Sequence, residues 1–160
     1  MRLALDTNVI AALLNGEPYA EAVAEVLEGQ RRELLLICGQ VYAELLVAYP
    51  EPDLAAFLED TGIEVDFAMP REAWRAAAEA WRRYLKKRKS LQAVYVCPLC
   101  GEQSTFRCSR CGRALPGPKT LLADFVVGAH ALYRADRLFT LERRGRFYKT
   151  YFPSLNVLFI

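Results

Sequence analysis

Apolar positions along this chain repeat with two periods, and the periods alternate. Leu3, Ala4 and Leu5 form a short apolar run ending in Asp6-Thr7-Asn8, side chains that cap a following helix by accepting from its free N–H groups. A strand followed by a helix is expected there, with Asn15-Gly16 stopping the helix. Glu17-Pro18 opens a second helix, in which Ala20, Val23, Ala24 and Leu27 recur at helical spacing until Gly29. Leu34 to Cys38 is continuously apolar, as suits a strand buried on both faces, and Val41 to Tyr49 returns to helical spacing before Pro50 and Pro52 end it.

The alternation continues downstream. Asp53 to Asp60 is expected as a short helix closed by Gly62, Ile63 to Phe67 as a strand, and Pro70 to Lys89 as a long helix. In that helix Trp74, Ala77, Ala78, Trp81 and Leu85 form an apolar stripe, both tryptophans are expected in the core, and the other face is basic. Residues 94 to 117 break the pattern with cysteine pairs. Leu121 to Tyr133 restores a helix, and Arg137 to Leu141 and Asn156 to Ile160 read as strands. Strands separated by helices imply an α/β fold with a mainly parallel sheet covered on both faces. Ligands in such sheets bind where the carboxyl ends of strands meet the following helices.

Composition sharpens this picture in three ways. With 160 residues, 53% of them hydrophobic, there is material for one cooperative core and too little for two full domains. The net charge of +2 hides an uneven distribution: residues 71 to 119 hold twelve Lys or Arg against three Glu, and the remainder holds nine basic against sixteen acidic residues. A basic middle suggests a polyanion partner, and the acidic remainder a place for cations. Near the N-terminus Asp6, Thr7 and Asn8 interrupt the apolar stretch, leaving Val9 to Leu14, too short for a secretion signal or a membrane span. The chain reads as soluble and cytoplasmic, with no membrane partner.

Four carboxylates stand out by position. Asp6 lies at the carboxyl end of the first strand. Glu44 sits in a helix otherwise flanked by Val41, Ala43, Leu45, Leu46, Val47 and Ala48, where a buried carboxylate is costly unless paired or metal-bound. Asp124 shares its helix face with Gly128 and Ala131, small residues that let another segment or a substrate come close. Glu142 follows the strand ending Leu138-Phe139-Thr140, again at a carboxyl end. Two of them have a plain structural alternative: a helix cap for Asp6 and an exposed helix face for Glu44.

Taken together these segments resemble a PIN-domain nuclease of the VapC toxin type. The resemblance rests on Asp6-Thr7-Asn8, on Val41-Tyr42-Ala43-Glu44-Leu45-Leu46, on Leu122 to Ala131 around Asp124, and on Ala135 to Glu142 followed by Tyr148 to Pro153; only residues 90 to 119 fall outside it. It implies a PIN-like three-layer α/β/α sandwich spanning residues 1–160, interrupted by the insertion at 94–117. Asp6, Glu44, Asp124 and Glu142 would be the catalytic metal ligands, with Asn8 and Thr140 as hydrogen-bond partners behind them. Hard carboxylate oxygens suit Mg²⁺ or Mn²⁺, and such ions hydrolyse RNA phosphodiesters without a protein nucleophile. Where this family usually has Asp, the chain has Glu142, one methylene longer; Asp136 is the rival for that place, and its position before the strand favours a structural role. A cognate antitoxin and a homodimer are further implications. Maturation of ribosomal RNA, or a non-catalytic RNA- or protein-binding module, are the alternatives.

The cysteines make a separate signal. Cys97-Pro98-Leu99-Cys100-Gly101 and Cys108-Ser109-Arg110-Cys111-Gly112 are paired C-x-x-C knuckles, each supplying two thiolates to a tetrahedral Zn²⁺. Cys38, at the end of an apolar strand, reads as core. Around this ribbon lie Lys86, Lys87, Arg88, Lys89, Arg107, Arg110 and Arg113, and after Glu142 come Arg143 and Arg144, all candidates for RNA phosphate contact. Tyr95 and Phe106 are candidates for stacking on a base. His130 is six residues on from Asp124, facing away from it, which favours a packing or interface role.

Overall fold

The structure is a computed structural model that describes residues 1–88, 95–96, 100, 102–115, 122–142 and 145–160. The chain runs β1 (Arg2–Leu5), α1 (Thr7–Asn15), α2 (Ala20–Gly29), β2 (Leu34–Cys38), α3 (Gly39–Ala48), α4 (Glu51–Thr61), β3 (Glu64–Asp66) and α5 (Arg71–Arg88). It continues with β4 (Tyr95–Val96), β5 (Gln103–Ser104), α6 (Leu122–Arg134), β6 (Arg137–Phe139), α7 (Arg146–Tyr151) and β7 (Val157–Leu158). Five strands form one parallel sheet in the order β3-β2-β1-β6-β7, with Leu3 opposite Leu35 on one side and Arg137 on the other. The central strand is apolar from Leu3 to Leu5 for a reason. Leu3, Ala4 and Leu5 are covered on both faces by helices, so each pleat position must be hydrophobic.

This strand order places a functional site before any side chain is considered. The chain leaves β1 toward β2 and β3, then returns past β1 to β6 and β7, so the connections diverge at the carboxyl end of β1. Right-handed crossovers put the helices of the outward and return runs on opposite faces, opening a crevice at that divergence. Among the described residues no helix is long and apolar enough to cross a membrane.

Most expected elements form, with ends displaced by a few residues. Pro52, expected to end a helix, instead stands in the first turn of α4, where its missing N–H costs nothing. The stripe on α5 is rotated from the expected one. Ala73, Ala77 and Ala80 are buried, Trp81, Tyr84 and Leu85 are partly covered, Ala78 is exposed and Trp74 is 50% exposed. Helix α5 packs chiefly on α6, and its buried positions are the small residues Ala73, Ala77 and Ala80, with Trp74 left outside the core.

Helix α7 was not expected from the pattern. Six residues are too few to form a helix from local propensity. Its order comes from outside: Phe147 and Tyr151 stack against Phe125 with ring centroids 4.9 and 5.5 Å apart, and the carboxylate of Glu142 accepts from the Phe147 N–H. The same contacts account for Gly128. A Cβ there would stand 2.4 Å from the Phe152 ring and 3.0 Å from that of Tyr148. The small residue beside Asp124 thus admits the α7 segment, bringing Tyr148 under the sheet's carboxyl edge.

In the insertion, β4 and β5 pair antiparallel as a separate two-stranded sheet, and Arg107 bridges to Ala114.

Candidate active site

Asp6 sits at the divergence point. Its backbone N–H donates to Phe139 O at 3.0 Å, carrying the β1–β6 ladder one residue past the strand. The side chain caps α1, Oδ1 accepting from the Thr7 N–H at 2.8 Å. Oδ2 accepts from Thr140 Oγ1 at 2.7 Å, Asn8 Nδ2 at 3.1 Å and the Tyr148 hydroxyl at 3.1 Å. A carboxylate with so many donors cannot rotate. Asn8 is fixed in turn, its Oδ1 accepting from the Leu141 N–H at 2.9 Å and its Nδ2 reaching Thr140 Oγ1 at 3.2 Å. Capping and site-building were alternatives in the sequence; one side chain does both.

Glu44 faces Asp6 from the second turn of α3. Thr7 Oγ1 donates to Glu44 Oε2, and Gln40 Nε2 donates to Oε1 at 3.2 Å. Glu142 follows Thr140, whose Oγ1 accepts from the Glu142 N–H at 3.0 Å, and both its carboxylate oxygens accept from the Phe147 N–H, at 3.1 and 3.0 Å. Asp124 enters from the first turn of α6. These four carboxylates, with Thr7, Asn8, Phe147 and Tyr148, line one open cleft of about 480 Å³.

The electrostatic consequence is sharpest at Asp124. Burial, and then the charges of Asp6, Glu44 and Glu142, push its pKa up to about 6. Asp6 is also raised, chiefly by burial and slightly by Glu44, against the lowering effect of its bonds from Thr140, Tyr148 and Thr7. Burial and the same two aspartates drive the Tyr148 hydroxyl above its ordinary value, so it stays a proton donor. Among the described residues no three His, Cys, Asp or Glu side chains stand as a ready cage for one ion.

The profile of the PIN domain family matches residues 3–153. The chain belongs to the PIN domain family. Membership supports a nuclease, as the resemblance in its motifs implied. The same PIN domain superposes on a chain in the crystal structure of VapBC2 from Rickettsia felis bound to a DNA fragment from their promoter. The TM-score is 0.59 at 19% identity, over 99% of this chain and 98% of that one. At that identity the likeness speaks to the fold. No curated protein matches the chain.

Other expected residues fall elsewhere on the PIN domain. Asp136 accepts from the Arg2 N–H at 2.6 Å, before β6 and at the opposite end of the sheet from Asp6, a structural role. Cys38 is buried in the core, and His130 is buried with Nε2 3.3 Å from Asp66 Oδ2. Lys86 and Lys87 on α5, and Arg107, Arg110 and Arg113 in the insertion, are exposed, and none lines the acidic cleft. Arg107 Nη1 donates to Gly112 O at 3.1 Å. Cys97, Lys89, Arg143 and Arg144, and the side chains of Arg88 and Tyr95, lie outside the described residues. The pattern missed three residues: Thr7 as a donor to Glu44, Gln40 as its second donor, and Tyr148. Thr7 and Gln40 had a local signal, lying one residue after Asp6 and one helical turn before Glu44.

Proposed function

We propose that this PIN domain is a divalent-metal-dependent endoribonuclease and the toxin of a type II toxin–antitoxin pair. The observation that carries the catalytic reading is the convergence of Asp6, Glu44, Asp124 and Glu142 on one cleft at the divergence point of a parallel sheet. Four carboxylates in mutual repulsion, with Asp124 raised to about 6, form a site that a cation relieves. Their hard oxygens fit Mg²⁺ or Mn²⁺, which keep several waters and take only one or two carboxylates directly, completing their shell with substrate phosphate. A closed three-carboxylate cage is not required.

Asp6, Asp124 and Glu44 would hold the ion. Glu142 keeps free lone pairs beyond its bonds from Phe147 and would complete the set. When bound, the metal supplies positive charge to the phosphodiester oxygens and acidifies the attacking water. Thr140, Asn8 and Tyr148 fix the orientation of Asp6, and Thr7 and Gln40 fix that of Glu44. Tyr148→Phe removes one donor without opening a cavity. It is expected to lower cleavage or metal affinity about 10- to 100-fold with the melting temperature little changed, measured by initial rates and thermal unfolding.

The experiment is incubation of labelled RNA with Mn²⁺, with and without chelator. Cleavage that chelator abolishes supports the reading; RNA that survives equally in both sinks it. The toxin role rests on the VapC-like motifs and on the fold shared with a VapBC2 chain, and a homodimer held inactive by a small antitoxin follows from the same likeness. Growth arrest on expression, reversed by co-expressing the product of an adjacent short reading frame, tests it.

For the insertion we propose a structural Zn²⁺ held by Cys97, Cys100, Cys108 and Cys111. In its favour, Gly112 adopts φ +69° directly after Cys111, and the N–H groups of Cys111 and Arg110 hold the Cys108 thiol below its usual pKa, favouring thiolate. Lys86, Lys87, Arg88, Lys89, Arg107, Arg110, Arg113, Arg143 and Arg144 are proposed to contact RNA phosphates around the cleft. Protein purified without added metal is expected to carry about one zinc per chain, lost in Cys108→Ser, as read by elemental analysis.

A further inference from the structure

A second cavity, of about 200 Å³, opens where the carboxyl ends of β2 and β3 meet the first turn of α3 and a face of α6. Its apolar lining includes Phe67, Met69 and Trp74; its polar lining includes Gln40, Asp66 and His130. Two features set it apart from an ordinary surface dent. Phe67 is 69% exposed and Trp74 is 50% exposed, two large aromatic side chains that line the same cavity and are left largely to solvent. Yet the Phe67 ring is held: Tyr42 meets it edge-on with centroids 5.8 Å apart, and Gly39 leaves the space in which a Cβ would stand 3.0 Å from Phe67 Cδ1. A ring fixed by its neighbours while its surface stays open is a prepared stacking platform.

The polar side is equally prepared. Asp66 is pinned, Oδ1 accepting from the Ala68 N–H at 2.8 Å and Oδ2 from Arg134 Nε at 2.9 Å, and each oxygen keeps a further lone pair. His130 is 1% exposed, and its Nε2 lies 3.3 Å from Asp66 Oδ2 without hydrogen-bond geometry, leaving a buried ring nitrogen with no hydrogen-bond partner. Gln40 ties this cavity to the acidic cleft, since it lines the one while its amide donates to Glu44 in the other.

We propose that this cavity receives one unpaired base of the RNA strand whose phosphate occupies the acidic cleft, stacked on Phe67 and Trp74 with its polar edge toward Asp66, Gln40 and His130. The assignment rests on the ribonuclease reading. Sequence-selective RNA recognition works on splayed single-stranded bases stacked on aromatic side chains and bonded along their edges, and the cavity offers both elements within one side chain of the carboxylates. Asp66 is an acceptor only. It favours guanine, which presents adjacent N–H and NH₂ donors, over uracil, whose single N–H is flanked by carbonyls that a carboxylate repels.

The test is equilibrium binding of a fluorescent single-stranded RNA in chelator, where hydrolysis plays no part, to wild type, Phe67→Ala, Phe67→Tyr and Trp74→Ala. Each alanine variant is expected to bind about tenfold more weakly with an unchanged salt dependence, and Phe67→Tyr to bind as wild type does. Both rings are largely exposed, so melting temperatures near wild type serve as the folding control. Alanine variants that bind as tightly as wild type overturn the proposal. In parallel, guanosine is expected to bind about tenfold more tightly than uridine, and equal affinity overturns the role given to Asp66. RNA cleaved by every variant, with binding indifferent to both rings, removes this subsite and leaves the nuclease standing. Ring-dependent binding with no cleavage in Mn²⁺ does the reverse.

Discussion

Asp6→Asn is expected to lower Mn²⁺-dependent RNA cleavage by about a thousandfold. A metal ion supplies several kcal/mol of charge stabilisation in the transition state, and each ~1.4 kcal/mol is a factor of ten in rate. Asparagine matches the shape of Asp6 and keeps an oxygen for Thr140, Asn8 and Tyr148 to meet, and it removes the charge at the centre of the cleft together with the acceptor for the Thr7 N–H. Single-turnover cleavage of labelled RNA measures the loss, with thermal unfolding to show that the fold is retained. A variant within threefold of wild type would mean that Asp6 is a cap and nothing more.

A second large effect concerns Asp124, and its sign reverses with metal. In chelator the folded-state pKa of Asp124 is about 6, above the ordinary carboxylate value near 3.8. A raised carboxylate stabilises the fold below its unfolded pKa, and that contribution is lost as pH rises through its folded pKa. Two pH units at ~1.4 kcal/mol each set a ceiling of about 3 kcal/mol, and partial exposure of the side chain brings the expected effect to about 1–2 kcal/mol. Asp6, raised mainly by burial, acts in the same direction. His130, lowered by burial, acts oppositely, its stabilisation being lost as pH falls below its ordinary value of 6.5. At Asp66 burial is outweighed by the bonds from Arg134 and Ala68, so its pKa is lowered and its effect lies below pH 3.8.

Comparing wild type with Asp124→Asn isolates the one group. In chelator the variant is expected to gain on wild type as pH rises from 4 to 7, by a few degrees in melting temperature at ~2–4 °C per kcal/mol. Saturating Mn²⁺ at pH 7 is expected to reverse the order, because the ion stabilises only the protein that binds it. A difference that stays flat with pH would mean that neither burial nor the other carboxylates raise Asp124.

How much of this was legible beforehand depended on whether the cause was local. The parallel sheet, with Asp6 at the end of its first strand, follows from apolar runs that announce doubly buried strands. Glu44 and Asp124 are visible as carboxylates in apolar helices, and the small residue at Gly128 signalled a close approach. The identity of what approaches was hidden. Tyr148 reaches Asp6 across 142 positions of sequence, on a helix that forms only because Phe125, Phe147 and Tyr151 pack together and Glu142 accepts at its N-terminus. No periodicity carries that information. Trp74 was misplaced for a related reason: Ala73, Ala77 and Ala80 take the core-facing positions of α5, which leaves Trp81 partly covered and Trp74 half exposed. Phe67 and Trp74 in turn gain meaning only once β3 sets Asp66 beside them.

The most direct test of the central claim, that these carboxylates form a divalent-metal site, is Mn²⁺ uptake read from the loss of the free-ion paramagnetic resonance signal at neutral pH. Wild type is expected to take up Mn²⁺, and Asp6→Asn and Asp124→Asn, each folded, to lose most of that uptake. Equal uptake by all three proteins would contradict it.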